Sequence, residues 1–489
     1  MSCGDANRNT DPEQPASSHE AVPSSSLAPW LHGSALGKVF TGMRTDFWTI
    51  ALDNDLNRRP AVTDGTSGRT LSYAEFGICA GRLALGVRLA LGPCHEPPVL
   101  ALCRNRGAGM VVCMWACQLA GGVYSPMNHT LPVDRKKFIM ENTGSRVLLT
   151  EPEILAQWPA EAIPDGVLIV PLDAHDQPLS GIDCSALPSQ LHAIHEALEA
   201  LLSPAQPSDY AYFIHTSGST GQPKCVTHTQ GSVDWHTHMT LLGSGLCRKD
   251  DVVLQVADCS FDLHLRDVYC FLSFGGHVVT VPAQALSDMD LLTELFYRHQ
   301  VTWVECVPLI FTAAVNYLDV SNLWFRLQSL RVWSCIGAAY QLPAAQLAHR
   351  SLPNLQFVNS FAPTENCFVT TVHRVTKEEL ALSDKLYSTP IGRPVSGWQC
   401  WLLDEEEEPY QAQAPAQAQT HVRIQVQAEV QDQPQTQKQE QCGRHSPGSN
   451  NPNRYLSPCS DADAPESLTY APPTSLCQSL DSPPSKPTS

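Results

Sequence analysis

Ten short apolar runs recur along the middle of the chain, from "PVLALC" at Pro98 through "GGVYSP", "SRVLLT", "GVLIVPL", "AYFIHT", "DVVLQVAD", "GHVVTVP", "VTWVECVP" and "SLRVWSCIG" to "LQFVNSF" ending at Phe361. Each has the length and β-branched character of a buried strand, and most are separated by segments long enough for a helix. Strands alternating with helices predict β-α units, hence an α/β fold of parallel-rich sheets flanked by helices. With 489 residues, 43% of them hydrophobic, the chain can bury substantial cores. The pattern is confined to residues 36–404. Residues 1–35 are polar and rich in Ser and Pro, and are expected to form a flexible arm. Residues 405–489 read as a disordered, low-complexity tail, first acidic and glutamine-rich, then rich in Ser and Pro. One segment of that tail, "THVRIQVQAEV", alternates as a strand would, but no neighbour in sequence is available to pair with it.

Charge narrows the function. Asp and Glu number 49 against 31 Lys and Arg, and no basic run interleaves with aromatic residues, which argues against nucleic acid as a partner. The apolar stretches are broken by arginine well short of a membrane span, and the polar, acidic start does not read as a secretory signal. A cytoplasmic protein without a membrane partner is expected. The 18 cysteines are scattered singly, without paired C-x-x-C units, as reduced thiols of an intracellular protein would be.

The segment "AYFIHTSGSTGQPKCV", residues 211–226, runs from a strand into a loop of small residues that closes on Pro223 and Lys224. It lacks the Gly-Lys-Ser/Thr end of a Walker loop and the spacing of a dinucleotide turn. It does present hydroxyls from Thr216, Ser217, Ser219 and Thr220, backbone amides around Gly218 and Gly221, and the ammonium of Lys224. Such a set can wrap the phosphates of a nucleotide, because glycine lets the backbone come close and hydroxyls and amides donate to anionic oxygens.

This loop resembles the phosphate-binding signature of the adenylate-forming (AMP-binding) superfamily, in particular the amino-acid adenylation domains of nonribosomal peptide synthetases. Further segments resemble family motifs in family order: "LSYAEF", "QLAGGVYSPMNHTLPVDR", "SFDLHLRDVYCFLSFGG", "NSFAPTEN" and "PIGRPVSGWQCWLLD". Together they span about residues 41–404, the extent of the family's large N-terminal subdomain.

The resemblance implies ATP and Mg²⁺ as cofactors and carries roles residue by residue. Thr216 to Lys224 would close over the β- and γ-phosphates, Lys224 as a mobile cation. Thr364 would touch the α-phosphate, Glu365 would ligate Mg²⁺, and Asn359 and Phe361 would belong to the nucleotide site, with the Phe361 ring stacked on adenine. Asp262 falls where amino-acid-activating members hold the substrate's α-amino group. A buried ammonium needs such a partner, and a fatty acid does not. The remaining pocket positions would be Leu263, Arg266, Cys306, Ser334, Ile336, Ser360, Phe368 and Val369. Arg266 is left open between reading a substrate carboxylate or polar group and pointing to solvent.

Some positions depart from the pattern. Cys225 and Ala362 stand where the family has glycine, and "IGAA" stands for a G-G-E run. Gln230 occupies the position of the expected histidine, with His228 two residues earlier and able to take its place by a short deletion. The H-x-H at His236 and His238 reads as a helix surface. After Asp404 the family's ribose-binding T-G-D motif and late glycine-flanked lysine are not found; Lys438 and Lys486 lie in Gln- and Pro-rich tracts. The expected function is therefore activation of an amino or related carboxylic acid as an acyl-adenylate, weak in this chain taken alone, with a carrier-protein or CoA thiol as a possible acceptor. The alternatives are a non-catalytic nucleotide or acid binder on the same fold, and an acyl-CoA ligase for a non-amino acid.

Overall fold

The computed structural model describes residues 40–216, 223–338, 340, 342–381, 389–403 and 423–428, and only the backbone for residues 399, 401–403 and 423–428. Along the chain, β1 (Pro60–Asp64) and β2 (Thr70–Ser72) precede β3 (Val99–Cys103), β4 (Val123–Pro126), β5 (Val147–Thr150) and β6 (Leu168–Pro171). Then come β7 (Tyr210–Thr216), β8 (Lys224–Thr229), β9 (Val252–Gln255), β10 (His277–Thr280), β11 (Trp303–Cys306), β12 (Val332–Ile336) and β13 (Gln356–Phe361). The last are β14 (Thr371–Arg374), β15 (Arg393–Pro394), β16 (Trp398–Leu403) and β17 (Arg423–Ala428). All ten runs identified in the sequence are strands.

They form two main sheets. The first is six-stranded in the order β6-β5-β3-β4-β7-β8, and the second nine-stranded in the order β15-β14-β13-β12-β11-β9-β10-β1-β2. Pairing is parallel inside both sheets and antiparallel only at their margins, at β7·β8, β1·β2, β13·β14 and β14·β15. Continuous apolar strands with helical crossovers leave no other arrangement that covers both faces.

The largest core lies between the sheets. It joins Leu100, Tyr124 and Tyr212 of the first sheet to Val62, Val278 and Ile336 of the second through helices Tyr73–Leu91 and Ala108–Leu119. In the second of these helices every residue but Gly109 is buried, as a helix apolar all round requires. The first begins with a capping box: the Ser72 side chain accepts from the Glu75 N–H, and Glu75 Oε2 accepts from the Ser72 N–H at 2.8 Å. That exchange gives the "LSYAEF" segment its shape. A second core covers the outer face of the nine-stranded sheet, where Val304, Cys306, Trp333 and Phe357 meet helices Met289–His299, Pro308–Ser321 and Leu342–Ser351. A third, around Cys103, Leu148 and Ile139, covers the outer face of the six-stranded sheet. The order is thus helix, sheet, helix, sheet, helix.

One expectation fails at the tail. The alternating segment near residue 425 does find a partner: β17 pairs antiparallel with β16, from Trp398↔Ala428 to Leu403↔Arg423. The two strands are separated in sequence by residues 404–422, so a search among sequence neighbours could not find the pair. Ser217 to Gln222, the arm up to residue 39, and the rest of the tail lie outside the described residues.

Candidate active site

The two sheets converge where β7 and β8 end. These strands form an antiparallel pair closed by Thr216 opposite Lys224, so the hairpin presents both ends of the hydroxyl-rich loop at one place. Ser217, Gly218, Ser219, Thr220 and Gly221, expected to bind phosphates, lie outside the described residues. Lys224 is exposed and Cys225 half-buried. Burial pushes the Cys225 thiol up to about 11, which makes it a poor nucleophile.

Further along β8, His228 is buried and its Nε2–H donates to the carbonyl oxygen of Thr364 at 2.7 Å. Its ring lies 5.1 Å from that of Tyr212, and desolvation lowers its pKa to about 4, so it is a neutral imidazole at neutral pH. Gln230, by contrast, turns away and donates to Gln118 Oε1 at 2.7 Å. The histidine that meets the Thr364 turn is therefore His228, two residues before the position counted from the family spacing.

The turn itself follows β13. Asn359 Nδ2 donates to the Pro390 carbonyl at 2.9 Å, fixing the "PIGRP" segment beside the strand. Phe361, Thr364 and Glu365 are half-buried. Among described groups, this places a partly exposed ring, a hydroxyl and a carboxylate within five residues of one another. A single carboxylate that leaves most positions to phosphate and water oxygens is the donor set Mg²⁺ accepts.

Past Asn366 the backbone is strained. Cys367 and Phe368 have φ of 53° and 69°, the left-handed region that non-glycine residues, bulky ones above all, rarely enter. The consequence is local and specific: the Phe368 N–H is directed at the Asp262 carboxylate. The Phe368 ring lies against Tyr212 at 5.8 Å and His236 at 5.1 Å. Asp262 is only 7% exposed, and its Oδ2 has no hydrogen-bond partner. Burial raises its pKa to about 7 despite the Phe368 N–H and the Arg266 charge, which act the other way.

Arg266 does not reach solvent. It is buried, and its Nη2 forms an ion pair with Glu305 Oε2. Glu305 Oε1 in turn accepts from Ser334 Oγ, which stands 3.2 Å from Ser360 Oγ. Of the two alternatives raised for Arg266, pointing to solvent is excluded, and its charge is paired internally with Glu305. Cys306 also differs from expectation. Side chains alternate along a strand, so Trp303 and Glu305 face the inner core while Val304 and Cys306 face the outer one. Cys306 there receives the Trp333 Nε1–H at 3.3 Å. The position on β11 that joins the pocket is Glu305, whose signal in the sequence was a lone charge inside the buried run "VTWVECVP". Leu263, Ile336, Phe368 and Val369 belong to the inner core and provide apolar walls, with Ser334 and Ile336 on the same face of β12.

Two π-helical segments border this pocket, His236–Leu242 and Arg266–Cys270. Such segments insert a residue into a helix and frequently accompany functional sites. Neither shows in a 3.6-residue apolar period. His236 is buried rather than on a helix surface, and burial holds it well below its usual range, hence neutral. His238 Nε2 meets Asp46 Oδ2 at 2.7 Å and lies 3.8 Å from Asp234 Oδ1, which accepts the Gly42 N–H at 3.1 Å. These three side chains dock the helix Met43–Ala51.

The comparisons with known proteins agree with this architecture. Residues 52–418 match the family model described as AMP-binding enzyme. The chain belongs to that family. Among curated relatives it is 31% identical over 346 residues to phosphinothricin tripeptide synthetase PhsB of Streptomyces viridochromogenes, covering 70% of this chain and 26% of that protein. It is 27% identical to surfactin synthase subunit 3 of Bacillus subtilis, covering 74% and 26%. The chain spans about a quarter of the length of these relatives. Among solved structures, the nonribosomal peptide synthetase FmoA3 in its alpha-methyl-L-serine-AMP-bound form superposes with a TM-score of 0.66 at 21% identity, covering 81% of this chain and 40% of that one. The N-terminal subdomain of Klebsiella oxytoca NpsA, in complex with 3-hydroxyanthranilyl-AMSN, superposes with a TM-score of 0.60 at 16% identity, covering 81% and 88%. The chain therefore has the fold of an adenylation N-terminal subdomain. Among the described residues no helix is long and apolar enough to cross a membrane.

Proposed function

We propose that this chain binds an amino acid and ATP and joins them as an aminoacyl-adenylate. One observation carries the reading: a buried carboxylate, Asp262, keeps one oxygen without a partner. A fold does not leave such a group unpaired cheaply, and an incoming ammonium satisfies both its charge and its hydrogen bond. With the ammonium on Asp262, the substrate carboxylate lies toward the turn that carries Thr364. One carboxylate oxygen attacks the α-phosphorus of ATP, the bond from that phosphorus to the β-bridging oxygen breaks, and pyrophosphate leaves. Thr216 to Lys224 hold the β- and γ-phosphates, Thr364 the α-phosphate, and Phe361 the adenine. Glu365 would hold Mg²⁺, which would supply charge compensation for the phosphate oxygens. His228 acts as a positioning residue, because it fixes the Thr364 carbonyl. The product would then pass to a thiol of a carrier protein or CoA.

Carboxylate-dependent exchange of labelled pyrophosphate into ATP tests turnover. Exchange above a no-acid control with at least one amino acid supports the enzyme. A second reading, a binder of nucleotide and amino acid without turnover, is favoured by Cys225 and Ala362, which stand where the family has glycine and stiffen the loop and the turn. Binding of Mg-ATP and amino acid by calorimetry, with no exchange, would decide for it. Exchange that needs a carboxylic acid but no amino group would decide for an acyl ligase of non-amino acids.

A further inference from the structure

The H-x-H of the sequence holds one histidine that the candidate site does not use. His236 packs its ring 5.1 Å from that of Phe368, whereas His238 meets a different set of partners. Its Nε2 lies 2.7 Å from Asp46 Oδ2 and 3.8 Å from Asp234 Oδ1, and one ligand atom of each of the three residues lies within 4.8 Å of the others. We propose that Asp46, Asp234 and His238 form a binding site for a divalent transition-metal ion of the Zn²⁺ type. The ion would clasp helix Met43–Ala51 to the junction between helix Gln230–Trp235 and the π-helical segment His236–Leu242.

Asp234 and His238 stand at i and i+4, the spacing that stacks two side chains on one helix face. Asp46 comes from 192 residues before His238, so only the packed fold assembles the set. The donors suit the ion. Zn²⁺ takes imidazole nitrogen and carboxylate oxygen at about 2.0 to 2.2 Å, and a tetrahedron of that size puts its donors about 3.3 to 3.6 Å apart. The separations of 2.7 and 3.8 Å fall on either side of that spacing, so closing on an ion asks only for small side-chain shifts. Mg²⁺ and Ca²⁺, which take six or more oxygens, are poorly served by a set that includes a nitrogen. Asp234, 4% exposed, accepts at Oδ1 from the Gly42 N–H at 3.1 Å and from Thr41 Oγ1 at 3.3 Å. Ligating carboxylates are commonly oriented by such outer donors. Asp46 and His238 are 16% and 23% exposed, which admits the ion and a completing water. On binding, the proton shared by His238 Nε2 and Asp46 Oδ2 gives way to the ion, and one hydrogen bond becomes two coordinate bonds. Asp234 lies in the α-helical stretch and His238 in the π-helical one, so the ion spans the point where the helix changes pitch. His236, between the two ligands, carries the ring that packs on Phe368. The role is structural: the ion braces that junction and does not depend on adenylate chemistry.

The test uses the full chain, freed of metal by chelation, kept reduced and without nucleotide, and titrated with Co²⁺, whose colour reports its ligands. One equivalent should bind with a Kd below about 0.1 mM, with the visible bands of a tetrahedral nitrogen and oxygen site and no thiolate charge-transfer band, and Zn²⁺ should displace it. The missing thiolate band matters because the described cysteines are free thiols, with Cys79, Cys94, Cys184 and Cys225 half-buried, and thiolates also bind these ions. Asp46→Asn and His238→Ala should each weaken binding at least about tenfold, whereas Glu365→Gln, at the nucleotide turn, should leave it unchanged. Should both variants at the site fail to fold, X-ray absorption at the zinc edge of the native Zn²⁺ complex decides: nitrogen and oxygen ligands with an imidazole signature support the site, and sulfur ligands overturn it. The proposal is also overturned if no equivalent binds below about 0.1 mM, if folded Asp46→Asn and His238→Ala bind as tightly as the native chain, or if Glu365→Gln abolishes binding.

Discussion

Two buried polar clusters in this molecule look alike in composition and differ in one respect. Around Arg104, at the carboxyl end of β3, the charges are matched: its Nη1 meets Asp176 Oδ1 at 2.9 Å, its Nε meets Glu151 Oε1 at 3.1 Å, and Arg69 completes Asp176 at 3.2 Å. The Gly109 carbonyl accepts a further guanidinium N–H at 3.1 Å, and a side chain at Gly109 would collide with Asp176 and Arg104. Around Asp262 several buried polar atoms stay without partners, among them Asp262 Oδ2, Arg266 Nε and both Asp267 oxygens, while left-handed residues occur in both clusters, at Asp176 in the first and at Cys367 and Phe368 beside the second. A closed network holds a fold together, whereas an open one, maintained against its own cost, is a receptor. The difference teaches that a matched and an unmatched cluster, equally buried, place different demands on the fold.

The comparison predicts opposite outcomes for equivalent changes. Asp176→Ala should remove a partner from a buried guanidinium and cost about 3 to 5 kcal/mol of stability, read as a large fall in denaturation midpoint; ligand preference among the chains that remain folded should be unchanged. A destabilisation below about 1 kcal/mol would place that cluster among weak surface pairs and break the comparison.

Next in size is a pH effect. The folded pKa of Asp262 is raised, from 3.8 to about 7, so the ligand-free chain holds it protonated at lower pH and ionised at higher pH. An ammonium ligand needs the ionised form, so amino-acid affinity should rise by about tenfold between pH 6 and pH 8. For stability the same raised pKa has the reverse sign: the contribution of the protonated group is present at low pH and lost as pH rises toward 7. Ligand-free Asp262→Asn should therefore unfold less readily than the native chain above pH 7, and equal midpoints at pH 8 would count against a desolvated carboxylate.

The smallest effect concerns His228. Its one hydrogen bond to the Thr364 carbonyl is worth about 0.5 to 1.5 kcal/mol, so His228→Ala should weaken Mg-ATP binding by roughly three- to tenfold without altering amino-acid selectivity. Because its folded pKa is depressed from 6.5 to about 4, native nucleotide binding should also weaken as pH falls below 5. Selectivity that changes with His228 would mean the turn and the pocket are not separable.

Much of the fold was legible because buried parallel strands are nearly continuous apolar runs, and ten such runs became strands. The marginal strands were harder. β8 follows the loop as "KCVTHT", with alternating polar residues, and β14 to β17 are short or pair across long gaps, so no local pattern marks them. Among the residues expected from motif order, Leu263, Ile336, Phe368 and Val369 come together in the inner core beside the buried Asp262. Glu305 could not be named, because counting along a motif fixes a residue only to within one, and one step on a strand exchanges the two faces of the sheet. The π-helical segments and the left-handed Cys367 and Phe368 carry no sequence signal at all, since each is imposed by the packing around it.

The most direct measurement compares, at pH 8, the binding of an uncharged aminoacyl-sulfamoyl-adenosine with that of its counterpart lacking only the α-amino group. The native chain should prefer the amino form by roughly a hundredfold or more, and Asp262→Asn should abolish that preference while retaining the adenosine portion's affinity. Equal binding of the two forms by the native chain would contradict the claim that the unpaired Asp262 oxygen is the seat of an amino acid.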